Sequence, residues 1–214
     1  MIQIKTFTFN PFQENTYVLY DETNECVIID AGCNDKNEQL ELLTFIEEKE
    51  LKVKYIINTH CHIDHILGNA FLVEKYAAPS IAHQADLPLL QRANDMAIAF
   101  GLSIQKPPMP DKWVNHHDLI RFGNTELQVL HIPGHSPGCI AFYGAKDGFV
   151  MVGDVLFKGS IGRTDLPGGD FDTIINSINQ NLFTLPENTV IYSGHGDKTT
   201  IGYEKKNNPF FVNQ

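Results

Sequence analysis

A mixed α/β fold, with sheets covered by helices, is predicted by three observations. Short apolar runs of strand character alternate with stretches of helical period. Two separate strand–helix–strand blocks can be traced, one in each half of the 214 residues. Polar residues with metal-binding chemistry fall where apolar strands run out into glycine-flanked loops.

The first half opens with three strands, Gln3–Phe9, Thr16–Tyr20 and Glu25–Asp30, separated by turn chemistry at Asn10-Pro11 and Asp21–Asn24. An amphipathic helix over residues 35–50 follows, with Leu40, Leu43, Phe45 and Ile46 inward and acidic residues outward. "VKYIIN" is a short buried strand that delivers the chain to "NTHCHIDHILGN". A second helix begins there, with Asp64 as its cap, and stops before Pro79. Residues 84–100 read as helix, and three prolines make "QKPPMPDKW" (Gln105–Trp113) a loop crossing to the second half. That half places strands at Thr125–His131, Cys139–Tyr143 and 148–152. A helix in "GDFDTIINSINQNLF" has Ile174, Ile175, Ile178 and Leu182 on one face, and a strand in "TVIYSGHGD" follows. The tail with Lys205 and Lys206 reads as solvated.

Composition narrows the function classes. The chain is 43% hydrophobic and carries a formal charge of −10, with three arginines: Arg92, Arg121 and Arg163. Nucleic-acid binding leaves a basic footprint that this sequence lacks. A core of this size buries roughly 70–75% of the unfolded surface without needing disulfides. The N-terminus alternates apolar and polar residues and lacks the features of a signal peptide. No apolar run approaches the roughly 20 residues of a membrane helix. The four cysteines show no CxxC spacing and read as reduced thiols, so a soluble cytoplasmic protein is expected.

Chemistry concentrates in His60, His62, Asp64 and His65. With nine His and fourteen Asp in the chain, the pattern H-x-H-x-D-H arises by chance about once in a thousand such sequences. An extended backbone puts His60 and His62 on one side, while Asp64 and His65 face elsewhere. One loop can therefore begin two metal sites but complete neither, because zinc takes about four ligands. Three further candidates sit at strand ends: His135 in "HIPGHSPG", Asp154 in "MVGDVLF" and His195 in "IYSGHGD". Cys61 alternates away from the histidines and reads as packing. His83, His116, His117 and His131 read as structural or surface residues.

"THCHIDH", "GHSPG", "GDVLF" and "SGHG", in this order and spacing, resemble the metallo-β-lactamase superfamily, and within it the short bacterial relatives of glyoxalase II. The resemblance implies one domain over residues 1–214, an αββα sandwich of two pseudo-symmetric halves. It implies two divalent metal ions, with zinc first and iron or manganese as alternatives. His60, His62 and His135 would bind one metal, Asp64, His65 and His195 the other, and Asp154 both. Catalysis would rest on Asp64, His65 and Asp154 with a metal-bridging hydroxide that cleaves a small-molecule thioester, an S-acylglutathione such as S-lactoylglutathione. Asp30 matches an aspartate beneath the site that orients a metal-binding histidine. Arg163, nine residues after Asp154, stands where the family has a cation for a glutathione carboxylate. The longer enzymes carry a tyrosine soon after the last histidine, where this chain has Gly196-Asp197. No nucleic-acid or membrane partner is expected. The alternatives are a mononuclear-iron persulfide dioxygenase of the same superfamily, a hydrolase of another small ester or lactone, and a binding module without catalysis.

Overall fold

The computed structural model describes residues 1–212 and resolves into two compact units. One comprises Met1–Val114 with Arg121–Thr125, and the other Asn115–Ile120 with residues from Glu126 onward. The structure is mixed α/β with two six-stranded sheets.

In the first unit, β1 (Gln3–Phe9), β2 (Glu14–Tyr20) and β3 (Glu25–Ile29) form an antiparallel run. Helix α1 (Lys36–Glu48) returns the chain to β4 (Lys52–Ile57), parallel to β3. A single 3₁₀ turn, Ile63–His65, precedes α2 (Asn69–Tyr76). Strand β5 (Ser80–Ala82), helices α3 (Leu87–Gln91) and α4 (Ala93–Ala99), and β6 (Lys112–Trp113) complete the unit, with β5 and β6 added in parallel. The core packs Phe7, Val18, Ile28 and Ile56 from the sheet against Leu42 and Ile46 of α1.

The second sheet runs from β7 (Leu119–Phe122) through β8 (Thr125–His131) and β9 (Ile140–Gly144) to β10 (Phe149–Gly153). A two-stranded hairpin follows, β11 (Leu156–Phe157) with β12 (Ser160–Ile161). Helix α5 (Phe171–Ser177) leads to β13 (Val190–Ser193), parallel to β10, then β14 (Thr199–Thr200) and α6 (Ile201–Asn207). Ile174, Ile178 and Leu182 bury against Val150, Val152 and Ile191. Each unit thus repeats one plan: three antiparallel strands, then a helical crossover to a parallel fourth. Among the described residues no helix is long and apolar enough to cross a membrane.

Several local expectations need correction. Helix α1 starts one residue late because Asp35 caps it, in a capping box with Glu38. Its buried stripe is Leu42 and Ile46, whereas Leu40 is 62% exposed. Asp64 caps no helix. It sits in the 3₁₀ turn with its carboxylate 3.5 Å from His65 Nε2, and α2 begins behind Gly68 instead. The single helix expected over residues 84–100 is broken at Arg92, and Lys112–Trp113 pair as a strand rather than remaining loop. The tail is not simply solvated. It forms α6, capped by Thr200, with Ile201 and Glu204 buried.

Candidate functional site

In the first unit the site is built where β3 and β4 end side by side. Asp30 leaves β3 at φ 52°, a left-handed conformation that Asp tolerates better than most residues. Its amide still donates to Ile57 O, which locks the two strand ends together. Its carboxylate accepts from Thr59 N at 2.7 Å and Thr59 Oγ1 at 2.6 Å. Because that hydroxyl donates to Asp30, its lone pair is left to accept from His60 Nδ1, 3.1 Å away. Asp30 Oδ2 also lies 3.1 Å from His65 Nδ1. The Asp30 carboxylate thus orients His60 through the Thr59 hydroxyl, leaving the His60 Nε2 lone pair for a cation, and stands at ion-pair distance from His65.

The rings cluster accordingly: His60 and His62 are 4.8 Å apart, and His60 and His65 only 4.1 Å. His65 therefore faces His60, where alternation had turned it elsewhere, because the 3₁₀ turn swings it back. Asp30, His60 and His65 offer ligand atoms within 4.8 Å of one another. Asp64 Oδ2 stands 3.5 Å from His65 Nε2. Two donors of one tetrahedral zinc, at about 2.1 Å from the ion, are separated by about 3.4 Å. The Asp64–His65 spacing fits a shared cation on that criterion.

The backbone of this loop is held by residues that the sequence did not single out. Asp86, fully buried, accepts from Cys61 N between the two histidines. Asn58 Nδ2 donates to His65 O and is itself oriented by Asn69, while Asn10 Nδ2 donates to Asp64 O. Glu14, fully buried, places Oε1 3.8 Å from His65 Nδ1 and accepts from Thr16 Oγ1. Burial pushes its carboxyl well above the usual carboxylate range, and His65 pulls the other way. A Cβ at position 32 would collide with that carboxylate, which is why glycine follows Ala31. The available signal was an acidic residue in a strand whose other positions are almost all buried. Cys61 packs among Ile63, Ile66 and Leu67, as expected.

In the second unit, His135, Asp154 and His195 leave the ends of β8, β10 and β13. His135 Nδ1 donates to the carbonyl of Arg163 at 2.8 Å, so its lone pair is at Nε2. Asp154 Oδ2 lies 3.7 Å from His135 Nε2 and 3.4 Å from His195 Nε2. One carboxylate oxygen is thus at a ligand-to-ligand distance from two imidazoles. Gly162 permits this closeness, since a Cβ there would strike the Asp154 carbonyl. The three residues line a cavity of about 460 Å³ with Phe157, Lys158, Ser160 and Arg163.

Arg163 lines the cavity, but its guanidinium is gripped by Asp165 through two 2.7 Å hydrogen bonds. Lys158 is likewise 3.3 Å from Asp197. Lys206 pairs with Glu187 and Lys205 lies over the Phe183 ring, so neither reaches the cavity lining. His83 caps a 3₁₀ turn and His116 accepts from His131 N, both structural tasks. Each unit by itself thus presents an imidazole–carboxylate set, free of thiolate, of the type that divalent metals bind.

The metallo-beta-lactamase superfamily profile matches residues 9–195. Hydroxyacylglutathione hydrolase GloC of Haemophilus influenzae is 36% identical over 212 residues, 98% of each chain. Among solved structures, BLEG-1 B3 metallo-beta-lactamase superimposes with a TM-score of 0.90 at 35% identity, over 98% of this chain and 100% of that one. TTHA1623, solved in a di-iron-bound form, gives 0.86 at 40% identity over 97% and 100%. With the fold, the strand-end histidines and the profile in agreement, the chain belongs to the metallo-β-lactamase superfamily of metallo-hydrolases.

Proposed function

We propose that this protein hydrolyses a thioester, an S-acylglutathione of the S-lactoylglutathione type, with two divalent metals. The observation that carries the reading is Asp154 Oδ2, set at ligand spacing from both His135 and His195. An oxygen at this spacing from two histidines assigned to different metals suits a shared carboxylate. In this reading His60, His62 and His135 hold one metal, and Asp64, His65 and His195 the other. When bound, such a pair polarises a carbonyl and lowers the pKa of a water from near 16 towards about 7.

The protein's own part is positional. Asp30, through Thr59, and the Arg163 carbonyl fix the tautomers of His60 and His135, so the Nε2 of each is ready for a cation. Lys158 and Arg163 give the cavity two cations for the carboxylates of a glutathione moiety, which would displace Asp197 and Asp165 from them. A thiolate of pKa about 8.5–9 leaves without a proton donor, so no general acid is required. The full-length similarity to GloC supports glutathione as the thiol. Zinc is the first choice of metal for a His/Asp set on affinity, and the di-iron form of TTHA1623 makes iron the competitor.

The decisive experiment follows S-D-lactoylglutathione hydrolysis at the thioester absorbance, with and without chelator, on protein of measured metal content. Chelator-sensitive turnover with two metals per chain is the expected result. One iron per chain with oxygen uptake and no hydrolysis would overturn it.

A further inference from the structure

The cavity wall that carries Phe157, Lys158 and Ser160 is the β11–β12 hairpin, two residues per strand around a Lys158-Gly159 turn. Four strand residues are too few to hold such a hairpin alone. Its base is tied by Ser193 Oγ, which donates to Leu156 O at 2.6 Å, and by Gly162 N donating to Val155 O. Its tip is tied elsewhere. Gly159, at φ 74°, points its amide at Glu204 Oε2, 3.0 Å away in α6.

Glu204 is fully buried, and the groups around its carboxylate are donors. Thr199 Oγ1 donates to Oε1, while Asn208 Nδ2 donates to Oε2 at 2.9 Å. Asn208 Nδ2 also donates to Ser160 O at 3.1 Å, so the same pair of α6 residues grips both sides of the turn. Burying a carboxylate is costly unless its acceptors are satisfied, and here the satisfying donors include the hairpin tip. Releasing the tip would leave a buried acceptor short, so the hairpin is held against α6 more firmly than its own ladder allows.

The geometry points to Glu204 as a positioning residue for substrate recognition: through Gly159 and Asn208 it sets where Phe157 and Lys158 stand in the cavity wall. The inference rests on the thioesterase reading for its substrate but not for the hairpin itself. The role depends on hydrogen bonds, not on charge. A glutamine at 204 can keep its carbonyl oxygen toward Gly159 N and Asn208 Nδ2. Its amide can donate to Thr199 Oγ1, because a hydroxyl accepts as well as donates.

The test compares Glu204→Ala and Glu204→Gln in the metal-loaded full chain. Three quantities are read: KM and kcat for S-D-lactoylglutathione, metal content, and hydrogen–deuterium exchange of the hairpin amides. Glu204→Ala is expected to raise KM about fivefold or more with kcat and metal content within about twofold of wild type, the pattern of lost ground-state binding. Exchange at Gly159 should rise while the β13 amides stay protected. Glu204→Gln should restore both KM and protection. Unchanged exchange in Glu204→Ala overturns the positioning role, and raised exchange with unchanged KM overturns its link to recognition. A Glu204→Gln protein as impaired as Glu204→Ala overturns the hydrogen-bond basis. If Glu204→Ala does not fold, Asn208→Ala is read by the same criteria. Wild-type protein without chelator-sensitive turnover overturns the thioesterase reading alone, and exchange then decides the hairpin claim.

Discussion

Asp30 Oδ2 stands 3.1 Å from His65 Nδ1, and the same carboxylate reaches His60 through Thr59. Asp30→Asn is the informative change, because Asn also tolerates the left-handed backbone at φ 52° while an amide replaces one acceptor oxygen. Metal affinity should fall about ten- to hundredfold with the fold retained, as for other residues that orient metal-binding histidines. Competition with a chromophoric chelator, beside circular dichroism, measures both.

Asp154 distinguishes a bridging ligand from an ordinary one. Asp154→Ala is expected to lower the metal content of both positions together, read as metal per chain by mass spectrometry. Loss of one metal with full retention of the other contradicts bridging. His60→Ala should abolish turnover while the far-ultraviolet spectrum stays that of the wild type.

On the proposed reading, Asp165 and the substrate carboxylate compete for Arg163. Arg163→Ala should raise KM for S-lactoylglutathione several-fold with little change in kcat. Asp165→Asn should lower KM, because it frees the guanidinium for the substrate carboxylate. The Arg163 hydrogen bond holds the Asp165 carboxyl down to about 2. A depressed carboxylate keeps its pairing above its ordinary range and loses it only as pH falls through about 2. KM measured from pH 5 to pH 8 should therefore show no step from this pair.

The thiols should be silent in the folded protein. Cys26, Cys33, Cys61 and Cys139 are all buried and unpaired in disulfides. Burial pushes the Cys26 and Cys33 thiols up to about 12, so at pH 8 they are protonated as well as covered. Labelling with a thiol reagent should find no fast-reacting cysteine in native protein and four after denaturation. Fast native labelling at Cys33 would contradict the burial described.

Much of this protein was legible in the residues themselves, for physical reasons of short range. Strands β1, β3, β8 and β13 and the crossover helices announced themselves because a half-buried element writes its period into a handful of neighbouring positions. The pattern of His60, His62, Asp64 and His65 was equally plain, since a single loop concentrates the candidate ligands. His135, Asp154 and His195 were found because each follows an apolar strand beside glycine. Tertiary structure decided what depends on residues far apart in sequence. Which face of α1 is buried turned on the sheet it meets, so Leu40 lies outside and Leu42 inside. Asp86 reaches Cys61 across 25 positions, Glu204 reaches Gly159 across 45, and the Arg163 carbonyl orients His135 across 28. No local pattern predicts such pairs, because a buried carboxylate or backbone carbonyl acquires its task only when folding delivers a donor to it. The sequence by itself named the candidate metal-binding residues. Only the folded chain shows which buried groups hold each unit's set in place.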